Sequence, residues 1–204
     1  MSDFAQIPTN TFSFIQKKAG ILVREFDPTS PTIDNSKIIG ATTGGYQFSA
    51  VPAMLDMGND IDNCPKGMVE LMDVDTWDVT ASGTYVSLDA AGVKDMVAVA
   101  DISDAGDGLK KITPRGKLQS EDFNSIWWVG PMGTGDGFVA IHMINAINSG
   151  GFKLQTEDNG KGKYAFSYSC HPSLAEQDKV PFEVYVKEGT AAAAAAAAVS
   201  ETEE

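Results

Sequence analysis

The sequence predicts a mainly β protein, an antiparallel β-barrel or sandwich with one packed α-helix. Three observations predict it. Several segments alternate apolar and small polar residues with a period of two, which is the pattern of a strand with one face buried. Turns rich in Gly, Asn and Asp separate those segments. One segment alone carries the i, i+3, i+4, i+7 apolar stripe of a helix, and strands lie on both sides of it along the chain. At 204 residues, with 43% hydrophobic and 21% charged, the chain suits a single core of ordinary globular composition.

Residues 1–39 read as an N-terminal arm, broken by Pro8, Pro28 and Pro31, with one short strand in "GILVREF". Residues 40–188 form the main domain. In "GYQFSA", Tyr46, Phe48 and Ala50 share one face and Gln47 and Ser49 the other. Residues 55–76 are rich in Asp, Asn, Gly and Pro and predict a long loop, a feature that is often functional. In "WDVTASGTYVS", Trp77, Val79, Ala81 and Tyr85 lie opposite Asp78, Thr80, Ser82 and Thr84. A helix is predicted over about 88–101, capped by Ser87 or Asp89, with Val93, Met96, Val97 and Ala100 as its stripe. "KKITPRGKL" is a basic segment in which Pro114 marks an edge or a strand end.

Further along, "SEDFNSIWWVG" leads into a strand and "PMGTGDG" is a turn. "FVAIHMINAIN" is apolar on both faces, as a central strand covered on each side would be. Phe152 to His171 predict a hairpin about "NGKG". Tyr164, Phe166, Tyr168 and Cys170 face one way, and Ala165, Ser167, Ser169 and His171 the other. "VPFEVYVKE" supplies a last strand. Residues 189–204 carry eight alanines and an acidic end. Alanine favours helix, but the segment is too short to hold one alone, so it predicts a mobile tail.

The chemical signals are weak. A net charge of −13 repels phosphate and anionic membranes. Cys64 and Cys170, far apart and only two, predict free thiols. "MSDFAQIPTN" lacks a basic start and an apolar run, so no signal peptide is expected, and "FVAIHMINAI" is too short to span a bilayer. Cys170 and His171 are strand neighbours facing opposite sides and cannot share a ligand, and no CxxC or HxxxH accompanies them. His142 reads as a hydrogen-bonded core or interface residue, with no GxSxG to supply a serine nucleophile. Asp56, Asp60 and Asp62 miss the calcium-loop register, because Gly58 stands where the second ligand belongs. Lys110, Lys111, Arg115 and Lys117 lack interleaved aromatics, so they suit an acidic partner better than nucleic acid. No catalytic, metal or cofactor site is expected, and the chain does not read as an enzyme.

The ordered set of "ATTGGYQFSA", "DIDNCPKG", "WDVTASGT", the "DAAGVKDMVAVADI" helix, "KITPR", "IWWVG" and the run from "GFVAIHMINAIN" to "PFEVYV" resembles the major tail tube protein of long-tailed, siphovirus-type bacteriophages. The resemblance covers about Gly40 to Lys187. It implies a structural virion protein, assembled in the host bacterial cytoplasm into the tail. Hexameric rings would stack into a tube, and genomic DNA would pass through it during ejection. Four strands per subunit would close a shared barrel of about 24 strands, with a backbone diameter near ~37 Å before tilt widens it. The implied partners are further copies of the chain, the tail terminator, the tape measure protein, the baseplate or initiator proteins, and double-stranded DNA that slides without specific binding. No membrane partner is implied.

On this reading Gln47, Ser49, Asp78, Thr80, Ser82, Thr84, Ser167 and Ser169 are the candidates for the lumen wall. Asp60, Asp62, Glu70 and Asp73 in the acidic loop, with Lys110, Lys111, Arg115 and Lys117 in the basic segment, are the candidates for ring stacking. A monomeric ligand-binding β-sandwich, carrying a carbohydrate or a lipid, is the alternative, and it requires a concave pocket with convergent polar groups.

Overall fold

The computed structural model describes residues 7–8, 11–133 and 135–189. The tail expected over 189–204 therefore lies, apart from Gly189, outside the described residues. After a four-residue helix α1 (Thr11–Phe14), the arm contributes strand β1 (Ile21–Val23). Strands β2 (Thr42–Asp56) and β3 (Met72–Tyr85) follow, then helix α2 (Ala90–Val97). A small hairpin of β4 (Ala100–Asp104) and β5 (Lys110–Pro114) stands apart from the main sheet. The remaining strands are β6 (Asn124–Pro131), β7 (Phe138–Asn148), β8 (Leu154–Gln155), β9 (Lys163–Cys170) and β10 (Phe182–Lys187).

The fold is mainly β and antiparallel, with one main helix, and its large sheet does not close. The strand order is β1-β6-β7-β9-β3-β2, with β10 added on β7 and β8 on β9. The sheet folds into two layers at β7. One edge of β7 pairs with β6 from Phe138 to Ala146. The other edge changes partner: Phe138–Met143 pair with β10, and Ala146–Asn148 pair with β9. Between them Asn145 adopts φ +50. Its side chain donates to the His171 carbonyl at 3.1 Å, and its own carbonyl accepts from the His171 N–H at 3.3 Å. Asn tolerates this left-handed conformation because its short polar side chain bonds locally.

The two layers enclose one core. Tyr46 of β2 stacks on Trp128 of β6, with ring centroids 5.6 Å apart and planes 7° from parallel. Phe48 and Trp77 meet Phe182 of β10 at 5.6 and 5.5 Å. Val79, Tyr85, Ile126, Met143, Phe166, Tyr168 and Cys170 fill the space between. A second cluster of Val23, Trp127, Val129, Phe138 and Ala140 lies on the far side of β6 and β7 under the arm. The reading of β7 as a strand covered on both sides thus agrees with the structure.

Helix α2 is shorter than the expected 88–101. Asp89 caps it, accepting from the Gly92 N–H at 2.6 Å. Ala98 ends it at φ +69, and Ala100 belongs to β4. The segment that looked like the rest of the helix, through Ala100 and Asp101, instead pairs with Pro114 and Thr113. Buried Asp95 meets Arg24 of the arm at 2.6 Å. Burial holds the Asp95 carboxyl above its usual range, against the pull of that guanidinium. Asn148, also buried, donates to the carbonyls of Met96 at 2.7 Å and Gly151 at 3.1 Å and accepts from the Ser167 N–H at 3.0 Å. These bonds seat α2 at the Tyr85 end of β3.

Two further expectations change. The loop predicted over 55–76 shrinks, because Leu55–Asp56 and Met72–Thr76 extend a long β2–β3 hairpin. Across this extension the residues alternate acidic and apolar, so their composition resembles that of a loop. The hairpin predicted over 152–171 has a first strand of only two residues, and β9 finds its main partner in β3 instead.

Asn145→Gly keeps the left-handed turn and loses one side-chain bond, while Asn145→Val adds backbone strain. Urea denaturation should place the Val variant below the Gly variant by about 1–2 kcal/mol. Equal stabilities would remove Asn145 as the point that sets the change of partner.

Candidate functional site

The pleat of three strands builds one continuous polar face. Antiparallel partners point to the same side, so the register of β2, β3 and β9 lines up Gln47, Ser82 and Ser167 in one row. The next row holds Ser49, Thr80 and Ser169, and others hold Thr43 with Thr84 and Val51 with Asp78. All eight residues proposed for a lumen wall therefore share one face, opposite the aromatic core. Gln47 and Asp78 are exposed and the other six are half-buried in the single chain. Ser149 Oγ lies 2.7 Å from Ser169 Oγ and donates to the Ser167 carbonyl at 3.0 Å, which fixes two hydroxyls in place.

Three glycines shape these strands, and alternation carries no signal for their roles. A Cβ on Gly83 would sit 2.7 Å from Phe166 Cζ, so only glycine lets that ring lie across β3. Gly44 and Gly45, at φ +77 and +87, form the bulge between Thr43 and Tyr46 that brings β2 into register with β3.

Charge is sparse and mostly negative. The three strands contain a single cation, Lys163, against Asp56, Asp73, Asp75 and Asp78. Lys163 is itself paired with Glu157 at 2.7 Å. A phosphate chain lying along such a face meets hydroxyls and no array of cations.

The stacking candidates fall at two ends. The loop 57–71 caps the Asp56/Met72 end of the long hairpin, and Asp60, Asp62, Glu70 and Asp73 are all exposed. Asp56 staples this loop: it accepts the Gly67 and Gly58 N–H groups at 2.9 Å each, and these bonds hold its carboxyl below the usual range. The β4–β5 hairpin is rooted beside α2, at the other end of β3. Fourteen residues of strand separate the two ends by roughly 40 Å. Arg115 is committed within its own chain, to Asp101 at 3.0 Å and to buried Asp122. Lys110 pairs with Asp104 at 2.7 Å. Lys111 and Lys117 are exposed and make no ion pair with a described residue.

Cys170 is buried on the aromatic face and His171 is exposed on the other side, as the strand period requires. Burial pushes the Cys170 thiol up to about 12. His142 holds a cluster that sequence spacing could not reveal. It stacks on Trp127 at 4.0 Å, its Nε2 lies 2.7 Å from Ser125 Oγ, and its Nδ1 lies 3.5 Å from Glu183. Tyr185 donates to that same Glu183 oxygen at 2.6 Å. The members come from β6, β7 and β10 and share no motif.

A cleft of about 750 Å³ opens between β3 and residues 169–181, with Trp77, Asp78, His171 and Lys179 on its walls. Among the described residues no group of three His, Cys, Asp or Glu could hold a metal ion, and no helix is long and apolar enough to cross a membrane. No protein-family model matches the chain, and no curated protein matches it in sequence.

Burial lowers the pKa of His142 more than Glu183 raises it. The unfolded chain then takes up a proton that the folded chain refuses. Stability is therefore full above the ordinary histidine value and falls as pH drops below about 6.5. His142→Phe keeps the stack on Trp127 and should flatten that part of the curve, read as the wild-type-minus-variant difference in unfolding free energy between pH 7.5 and 5. A difference independent of pH would contradict the direction of the shift.

Proposed function

We propose that the chain is the structural subunit of a bacteriophage tail tube, polymerising as stacked hexameric rings around a lumen through which double-stranded DNA passes. The observation that carries this reading is the cation-poor hydroxyl face of β2, β3 and β9. Neutral hydroxyls and scattered carboxylates release no counterions to a passing phosphate chain, so DNA slides without being held. The resemblance from Gly40 to Lys187 supports the same reading.

The edges support self-association. Among the described residues, strand β2 pairs with β3 alone and β10 with β7 alone, which leaves each with an edge that no described strand covers. A monomer usually blunts such edges. Val51, Met54, Leu55, Met57, Ile61 and Val69 along the protruding hairpin are 45–83% exposed. Apolar surface of that extent supports a contact with another protein. Tail terminator, tape measure and initiator proteins are the further partners on this reading, and the virion tail is the location.

On this reading the two charged ends support stacking. An acidic loop at one end and Lys111 and Lys117 toward the other would meet when copies stack head to tail. Exposed pairs give about 0.2–1 kcal/mol each, but they repeat around every ring and set register more than affinity.

The carrier reading rests on the cleft beside Trp77. Native mass and negative-stain microscopy separate the two: a tube subunit forms rings or filaments, and a carrier stays near 21.7 kDa. A chain that remains monomeric at high concentration, even with a tail initiator complex, would overturn the tube reading.

Ser82→Lys with Ser167→Lys should leave tubes intact and slow DNA ejection, because each cation adds a phosphate contact. Unchanged ejection from well-formed tails carrying both changes would place this face elsewhere. Lys111→Glu with Lys117→Glu spares the internal pairs of Arg115 and should shorten tubes, and reversing Asp60 and Asp62 to Lys in the same chain should partly restore them. Normal tube length from the double Glu variant at both low and high salt would end the charge account of stacking.

A further inference from the structure

We propose that the apolar groove on the arm side of the sandwich is the docking site for residues 190–204 of the same chain. The inference is independent of the tube reading, because it concerns one chain folding onto itself. The groove has a volume of about 380 Å³, and Ala19, Ile21, Phe26, Ile33, Val129 and Phe138 form its apolar surface. Ile33 is 37% exposed there. The neighbouring second core cluster ends at this surface, so the groove continues an existing core outward.

The described chain ends at the groove. Gly189 is buried. Its N–H group lies 2.8 Å from where a Cβ on Gly137 would stand, and Gly137 itself lines the groove. Lys187, two residues earlier, is tied to Asp136 at the rim at 2.6 Å. Gly189 therefore brings the end of the described chain beside the apolar surface, next to an ion pair and a close backbone contact.

The segment that follows has the composition to fill it. Eight alanines from Ala191 to Ala198 and then Val199 present small apolar groups. Alanine has the highest helix propensity, yet a run this short needs a surface to hold it. Small side chains allow a backbone to sit close over Ala19 and Gly20. The acidic end, Glu201, Glu203 and Glu204, is complemented in charge by Lys18, which lines the groove, and by Lys17 beside it in the chain. Neither lysine makes an ion pair with any described residue.

Ile33→Cys and Ala194→Cys, introduced together into the full chain with Cys64→Ser, test the contact by oxidation and mass measurement. The remaining thiol, Cys170, is buried and does not compete. The expected product is an intramolecular cross-link at monomer mass. It should form about tenfold faster than in a control pairing Ala194→Cys with Asp158→Cys on the exposed β8–β9 loop, because docking raises the effective concentration. Equal rates for the two pairs would overturn the proposal. Cross-linked dimer as the main product would overturn it in favour of a neighbouring chain's segment. As a second reading, Ile33→Asp should slow cross-linking between Lys18→Cys and Ala194→Cys, and an unchanged rate there also counts against docking.

Discussion

A strand has two edges, and β7 divides one of them between two partners. This constraint organises the molecule. With β10 on Phe138–Met143 and β9 on Ala146–Asn148, one sheet becomes two layers that share a strand. The extra residue around Asn145 also changes which side chains face inward. Met143 lies in the core before the turn and Ala146 after it, three positions apart instead of two. Without the left-handed residue the two halves of β7 would present opposite faces to one core, and the sandwich could not close over Tyr85 and Tyr168.

Once the layers are set, the polar face follows from the aromatic one. Each inward ring on β2, β3 and β9 forces its neighbours outward. Packing of Tyr46, Phe48, Trp77, Phe166 and Tyr168 thus fixes where Gln47, Ser82 and Ser167 stand. The face is held by its reverse side, so its chemistry can stay bland. Small hydroxyls need no partner from another layer, and Ser149 with Ser169 satisfies itself locally.

Much of this was legible in the sequence because strand period survives in composition. The two faces of 46–50, 77–85 and 164–171 were assigned by alternation alone, and the register confirms that they share one surface. The rest depended on which strand meets which. Nothing local to "FVAIHMINAIN" says that its edge changes partner at Asn145. Ala100 fits a helical stripe as well as a strand, and pairing with Pro114 decides the matter. Arg115 looked like one cation among four until the fold brought Asp101 and Asp122 to it. Ser125, His142 and Glu183 meet across three strands, and no spacing rule joins them. Asp56, read beside Asp60 and Asp62 as part of an acidic cluster, turned out to be bonded to two backbone N–H groups of its own loop.

The three-strand face places an unequal burden on different kinds of inherited change. Exchanging one small polar residue for another on β3 leaves both surfaces in place, so substitutions can accumulate there. A single-residue insertion or deletion within Trp77–Tyr85 would move every later side chain to the opposite surface, putting Tyr85 in water and Thr84 against Phe166. Descendants of this chain should therefore drift freely in the letters of these strands and scarcely at all in their lengths, with gains and losses of residues confined to the 57–71 loop and the β4–β5 turn.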